Sequence, residues 1–329
     1  MRPSELLVEV EMTIKTAIIE FEHHHPMVDV IDKVEHGLLT RHRWLVAVGA
    51  ILIQMSLGAI YAWGVFTGEL TDKNGDFGFT ATQTQWIFSV GLASFAAMML
   101  IAGKAVAHLG PRPVAIAGGI LLGSGYGLAG FFGKLFWVQV LCIGVLGGAG
   151  IGLAYVVPIT VGVRWFPDKK GLVTGFAVAG FGFGALLWVQ LAGDWGHLIE
   201  RYGVLNTFLI YSVVFGILVH LGGLLMTYPP AGWKPARWNP PAAQAQQEAA
   251  HEFTPRTMLA RPQFYVLWLS FVFLALAGLM LIGINKLYGR DALIESGAFT
   301  DLAAAGAAAS TAYAVAFALS NGLGRIGWG

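Results

Sequence analysis

Apolar residues in this chain run in long, nearly unbroken blocks, without the alternation of a half-buried strand or the single stripe of a surface helix. Eight blocks stand out, at 44–66, 86–109, 114–132, 135–163, 173–194, 205–228, 264–287 and 302–328. A helix needs about 20 predominantly apolar residues to cross the hydrocarbon core of a bilayer, and each block meets or approaches that length. The pattern predicts an all-α integral membrane protein with eight transmembrane helices. Connections between blocks are short, as antiparallel neighbours require, except at 229–262. Pro229, Pro230, Pro235, Pro240 and Pro241 fall there, and proline at that density forbids a continuous helix and marks a linker. The predicted layout is a polar tail over 1–43, a six-helix bundle over 44–228, a linker over 229–262, and two further helices over 263–329.

Composition sharpens this reading. Charged residues make up 12% of the chain, about half of what an ordinary soluble domain carries. Forty-four glycines suit the close helix–helix approach that membrane bundles rely on. Cys142 is the one cysteine, so no intrachain disulfide is available. The tail holds eight acids and five bases, with His23, His24 and His25 in a row; it reads as a solvated cytoplasmic tail rather than a metal site, and no metal or cofactor is expected. Lysine and arginine placement sets the orientation. With the N-terminus inside, eleven basic residues from Arg41 to Arg261 face the cytoplasm, and Lys73, Lys134, Arg201, Lys286 and Arg290 face the other side. The chain is therefore expected in the cell membrane as a multi-pass protein with a cytoplasmic N-terminus, its partner the lipid bilayer and not nucleic acid.

Motifs then narrow the class. The run GKAVAHLGPR at 103–112 resembles the G-x-x-x-D-R-x-G-R loop joining the second and third helices of the major facilitator superfamily. Gly103, Gly110 and Arg112 match, His108 sits where a basic residue is usual, and Ala107 replaces the usual aspartate. The resemblance makes this an inner gating loop, with a weaker latch where the carboxylate is lost. Four further strings, GAIYAWGVF (58–66), RWFPDKKGLVTGFAVAGFGFGA (164–185), FTPRTMLARPQFYVLWL (253–269) and NGLGRIGWG (321–329), together resemble the oxalate/formate antiporter family within that superfamily. The likeness covers nearly all of the chain beyond the tail. It implies a bundle of twelve helices in two halves, of which eight are present. The chain is then expected to be an incomplete transporter, without the eleventh-helix lysine that the family uses to hold a dicarboxylate. The function implied is secondary active exchange of small carboxylate anions by alternating access.

Arg325 is the leading candidate for substrate binding. Arginine inside a span costs about 2.5–3.5 kcal/mol on insertion scales, and its planar fork matches a carboxylate. Asn321 precedes it by four positions, on the same helix face. The resemblance makes Arg325 the family's eighth-helix anion site; the alternative is an arginine snorkelling to the interface. Tyr61, Trp63, Trp86 and Tyr155 are candidates to line a small cavity, although Trp and Tyr near span ends also serve as interface anchors. Gln54 and Gln190 are buried amides that either meet substrate or tie helices together.

Other features argue by exclusion. GGAGIG at 147–152 mimics a nucleotide fingerprint but lies inside one apolar span, without the strand that such a site requires. Gly148 and Gly152 instead predict a close helix contact, as do Gly180, Gly182 and Gly184. Pro158 predicts a kink in the fourth span, and His220 reads as a packing or hydrogen-bonded residue rather than a proton relay. No aspartate or glutamate lies well inside a span, which favours anion exchange over proton coupling. A proton-linked monocarboxylate carrier and a non-transporting, truncated relative are the competing readings. No nucleophile–base pair or HExxH motif supports an intramembrane enzyme.

Overall fold

The computed structural model describes residues 43–230, 233–235, 238 and 254–328. The tail with its histidine run, and most of the proline-rich linker, lie outside the described residues. Eight helices among the described residues are long and apolar enough to cross a membrane, as the hydrophobic blocks predict. They are α1 (Arg43–Leu70), α2 (Ala81–Leu109), α3 (Pro111–Phe132), α4 (Phe136–Trp165), α5 (Pro167–Ala192), α6 (Leu198–Leu224), α7 (Pro262–Glu295) and α8 (Leu302–Trp328).

Helix ends follow local chemistry that hydropathy does not register. Helix α2 begins ahead of its apolar block because Thr80 and Gln83 form a capping box, each side chain bonding the other's backbone N–H at 3.1 and 2.8 Å, which satisfies two of the otherwise orphaned donors. At the break to α3, Gly110 takes φ +84° and Pro111 opens the next helix, the position where a missing N–H costs nothing. Helix α6 carries a break at Gly203, with φ +77° and ψ 170°. A side chain would resist that conformation, so the continuous helix starts at Val204, next to the predicted 205. Within the segment read as linker, Pro255–Leu259 forms a short helical turn capped by Thr254.

The described residues from Val46 onward form one compact unit. Helix α3 packs on α6 and α4, α2 on α4, and α5 on both α1 and α8, while α7 rests on α8 and on the last turns of α1. Small residues make these crossings. A Cβ on Gly150 would fall 2.4 Å from the Leu122 nitrogen of α3, and on Gly148 2.4 Å from the Gly91 carbonyl of α2. Those distances are backbone contacts, so the GGAGIG run is a packing surface, as expected. On α5, Gly184 meets the Met55 carbonyl of α1 at 2.1 Å by the same measure.

Two helices depart from α geometry. Helix α1 tightens to a 3₁₀ segment at Gly58–Ala62 before resuming at Gly64–Leu70. Helix α4 widens to a π segment at Val140–Gly147. It then runs unbroken through Pro158 to Trp165, so the irregularity ends about three turns before the proline rather than falling at it. His220 corrects another expectation: it lies exposed on α6 and has no packing role.

Candidate functional site

Helix α8 supplies the only mid-bundle cation found among the residues read as site candidates. Arg325 Nε donates to Asn321 Oδ1 at 2.6 Å, one turn back on the same face. Asn321 is set against the middle of α5, where a Cβ on Gly182 would fall 2.9 Å from its Oδ1. The guanidinium also lies within electrostatic reach of the Tyr61 side chain of α1. The Asn321 acceptor orients the fork and leaves further N–H donors over, since a guanidinium carries five.

Aromatic rings wall this group. Tyr61 meets Phe181 of α5 edge-on at 4.9 Å and Phe317 of α8 at 5.6 Å. Tyr155 of α4 meets Phe181 at 5.5 Å and Phe95 of α2 at 5.2 Å. The Tyr61 and Tyr155 side chains lie within electrostatic reach of each other. Five helices thus converge: α1, α2, α4, α5 and α8. Phe181 is fully buried, while Tyr61, Tyr155, Asn321 and Arg325 are all half-buried, so the polar atoms border open space and the apolar ring at the centre does not. Chemically, a fixed guanidinium beside phenol hydroxyls and ring edges suits a small planar anion.

The remaining candidates are placed elsewhere. Gln54 is fully buried and its Nε2 donates to the Tyr155 carbonyl at 3.3 Å, tying α1 to α4 directly behind the site. Trp63 is 3% exposed and spends its indole N–H on the Thr84 carbonyl at 3.0 Å. Its ring borders a separate apolar cavity with Ile60, Ile87, Tyr126 and Ile151. Such a lining is apolar but for the Tyr126 hydroxyl, short of the two to four polar partners that a water needs. Trp86 is 60% exposed on the outside of α2, an interface position. Neither tryptophan joins Arg325. At the α2–α3 loop, Gly103, His108 and Arg112 are exposed and Gly110 makes the turn; among the described residues, His108 and Arg112 form no ion pair.

Phe95, Phe181 and Phe317 complete the site, and the sequence reading missed all three. One signal was available: Phe181 and Phe183 are the large residues inside GFGFG, and bulky rings between helix-packing glycines are candidates to point into a crossing.

A family model described as Major Facilitator Superfamily matches residues 44–329. The chain is 31% identical over 248 residues to the "Uncharacterized MFS-type transporter YhjX" of Escherichia coli (strain K12), covering 75% of this chain and 58% of that protein. It is 29% identical over 265 residues to the oxalate:formate antiporter of Oxalobacter formigenes, covering 80% and 59%. Monocarboxylate transporter 13 of Rattus norvegicus is 31% identical over 183 residues, covering 55% and 41%. The chain therefore spans less than three fifths of the length of each of these relatives.

Proposed function

The chain belongs to the Major Facilitator Superfamily, and from that premise we propose that it serves as a secondary transporter of small carboxylate anions, by exchange of the oxalate/formate type. The observation that carries this reading is the Arg325 fork, oriented by Asn321, set beside Tyr61 and walled by aromatic rings from four other helices. Burying an arginine is costly, and Arg325, half-buried and tied to the neutral Asn321 acceptor, forms no ion pair among the described residues. A carboxylate supplies it, through charge-assisted bonds that are shorter and stronger than neutral ones. The similarity to an oxalate:formate antiporter supports the substrate class.

In this reading, α1–α6 form one half, and α7 and α8 belong to the other. The site lies between them, and the halves rock to expose it alternately. The N-terminus lies on the cytoplasmic side of the cell membrane, as the lysine and arginine bias indicates, and the α2–α3 loop with Gly103, His108, Gly110 and Arg112 is the inner gating loop. Asn321 holds the guanidinium, Tyr61 lies beside it, and Tyr155 lines the anion's path. Gln54 supports Tyr155 through its carbonyl.

The test is carboxylate exchange in proteoliposomes, using the longest reading frame that contains this sequence. Preloaded oxalate should exchange with external oxalate or formate, and Arg325→Gln should reduce the rate about 100-fold, the upper end for losing a charged hydrogen-bonding partner. Wild-type rates from Arg325→Gln would remove the reading's foundation. A second reading, proton-linked monocarboxylate transport, draws on the similarity to a monocarboxylate transporter. It predicts uptake that follows an imposed pH gradient, whereas exchange is indifferent to one.

A further inference from the structure

At the end of the bundle away from the α2–α3 loop, a lysine crosses from one group of helices to the other. Lys286 belongs to the last third of α7, and its Nζ donates to the Val65 carbonyl of α1 at 3.1 Å. The stem lies over Gly68, where a Cβ would come within 2.9 Å of Nζ and 3.0 Å of Cε. On its other side is Gly306 of α8, whose Cβ would lie 3.7 Å from Cε. Two glycines, one on each side of the divide, thus form a slot that admits the lysine and no bulkier packing. The charges that act on Lys286 are the acids Glu69 on α1 and Asp194 after α5, opposed by Arg290 one turn along α7. Arg290 is itself engaged by Asp291, at 2.8 Å. A second tie runs beside the first: Thr311 of α8 donates to the Asp194 carboxylate.

We propose that Lys286, seated between Gly68 and Gly306 on the Val65 carbonyl, is the bolt of a gate that closes the outer mouth of the bundle, with the Thr311–Asp194 hydrogen bond as its second point of closure. The inference rests on the transporter reading for its purpose and on the proposed orientation for the word outer. Both acids that attract the lysine belong to α1–α6, while the lysine and the threonine belong to α7 and α8. The attraction therefore acts across the divide and not within either group. A carbonyl bond and acids that stop short of a direct ion pair with Lys286 make a closure that holds yet releases, because a lysine that leaves the slot regains its hydration and its rotamer freedom. In the open state Lys286 swings to solvent, and the path to Phe317 and Arg325 is uncovered. A lysine so near an apolar block reads from sequence as a loop charge, and its crossing role appears only in three dimensions.

The test is accessibility, read independently of substrate. With Cys142 and any further cysteine of the longest frame replaced by Ser, Phe317→Cys becomes a reporter inside the proposed cavity, labelled by a membrane-impermeant maleimide from outside oriented vesicles holding that frame. Lys286→Met keeps the stem and deletes the charge. It should speed labelling about tenfold, the change that one charge-assisted hydrogen bond makes to a two-state equilibrium, and Lys286→Arg should restore most of the slow rate. Thr311→Val should speed labelling by a smaller factor, and decides the matter alone where Lys286→Met does not fold. Unchanged labelling in the folded variants, with full labelling after denaturation, overturns the gate. If labelling rises while wild-type protein exchanges no carboxylate, the gate stands and the substrate reading falls.

Discussion

Two aromatic clusters sit in this bundle and use the same residue types to opposite ends. One gathers Phe66, Tyr126, Trp188, Phe208, Tyr211 and Phe215, with Trp188 and Phe215 at 4.8 Å and Tyr126 and Phe215 at 5.1 Å. The other gathers Tyr61, Phe95, Tyr155, Phe181 and Phe317 around Arg325. In the first, two of the three polar tips are spent on backbone: Trp188 Nε1 donates to the Met55 carbonyl at 2.7 Å, and the Tyr211 hydroxyl donates to the Trp188 carbonyl. Every ring there is nearly or fully buried. In the second, both tyrosines are half-buried and the cation has donors left over. An aromatic residue in a membrane bundle is structural when its polar tip is satisfied inside the fold, and available to a ligand when it is not. Composition cannot separate the two, but the hydrogen-bond account does.

The comparison can be broken at several points. Arg325→Gln stands first, with its loss of about 100-fold in exchange and no loss of folded protein; destabilisation comparable to a core mutant would place Arg325 among the structural residues instead. Gly184→Leu should cost about 1–3 kcal/mol or more, since overpacking at a backbone contact forces the helices apart. Its readout is the melting temperature in detergent, and an unchanged value would contradict the α1–α5 crossing. Tyr61→Phe should weaken apparent substrate affinity about tenfold, because the anion loses the phenol hydroxyl beside the guanidinium as a donor, while the melting temperature holds. Tyr211→Phe should do the reverse, costing about 1 kcal/mol of stability with exchange kinetics intact. If the two tyrosine variants behaved alike, the distinction between the clusters would fail. Trp86→Leu should change both quantities least, within about 0.5 kcal/mol for a position facing outward.

Much of the scaffold was legible from residues alone. All eight spans were readable as apolar blocks, and the packing role of Gly148, Gly152, Gly182 and Gly184 followed from small residues at helical spacing. The ends were less legible: capping at Thr80, the break at Gly203 and the extension of α7 to Glu295 depend on single hydrogen bonds or dihedrals. Of the polar candidates, Tyr61, Tyr155, Asn321 and Arg325 come together, with Gln54 just behind. Trp63 and Trp86 stand apart, because one donates its indole N–H within the bundle and the other faces outward. The irregularity of α4 fell at Val140–Gly147 and not at Pro158, which a proline rule does not foresee.

What the sequence determined by itself is the kind of environment this chain folds in and the number of times the described part can cross it. Hydropathy is a property each helix carries alone, since a spanning segment satisfies its own backbone and needs no partner to be recognised. What only the tertiary structure decided is which polar atoms meet. Lys286 and the Val65 carbonyl are 221 residues apart in the chain, and Arg325 reaches Tyr61 from the far end of it. Such contacts arise from helix crossings set by glycine against backbone at ångström precision, and no one-dimensional pattern encodes the rotation of one helix about another.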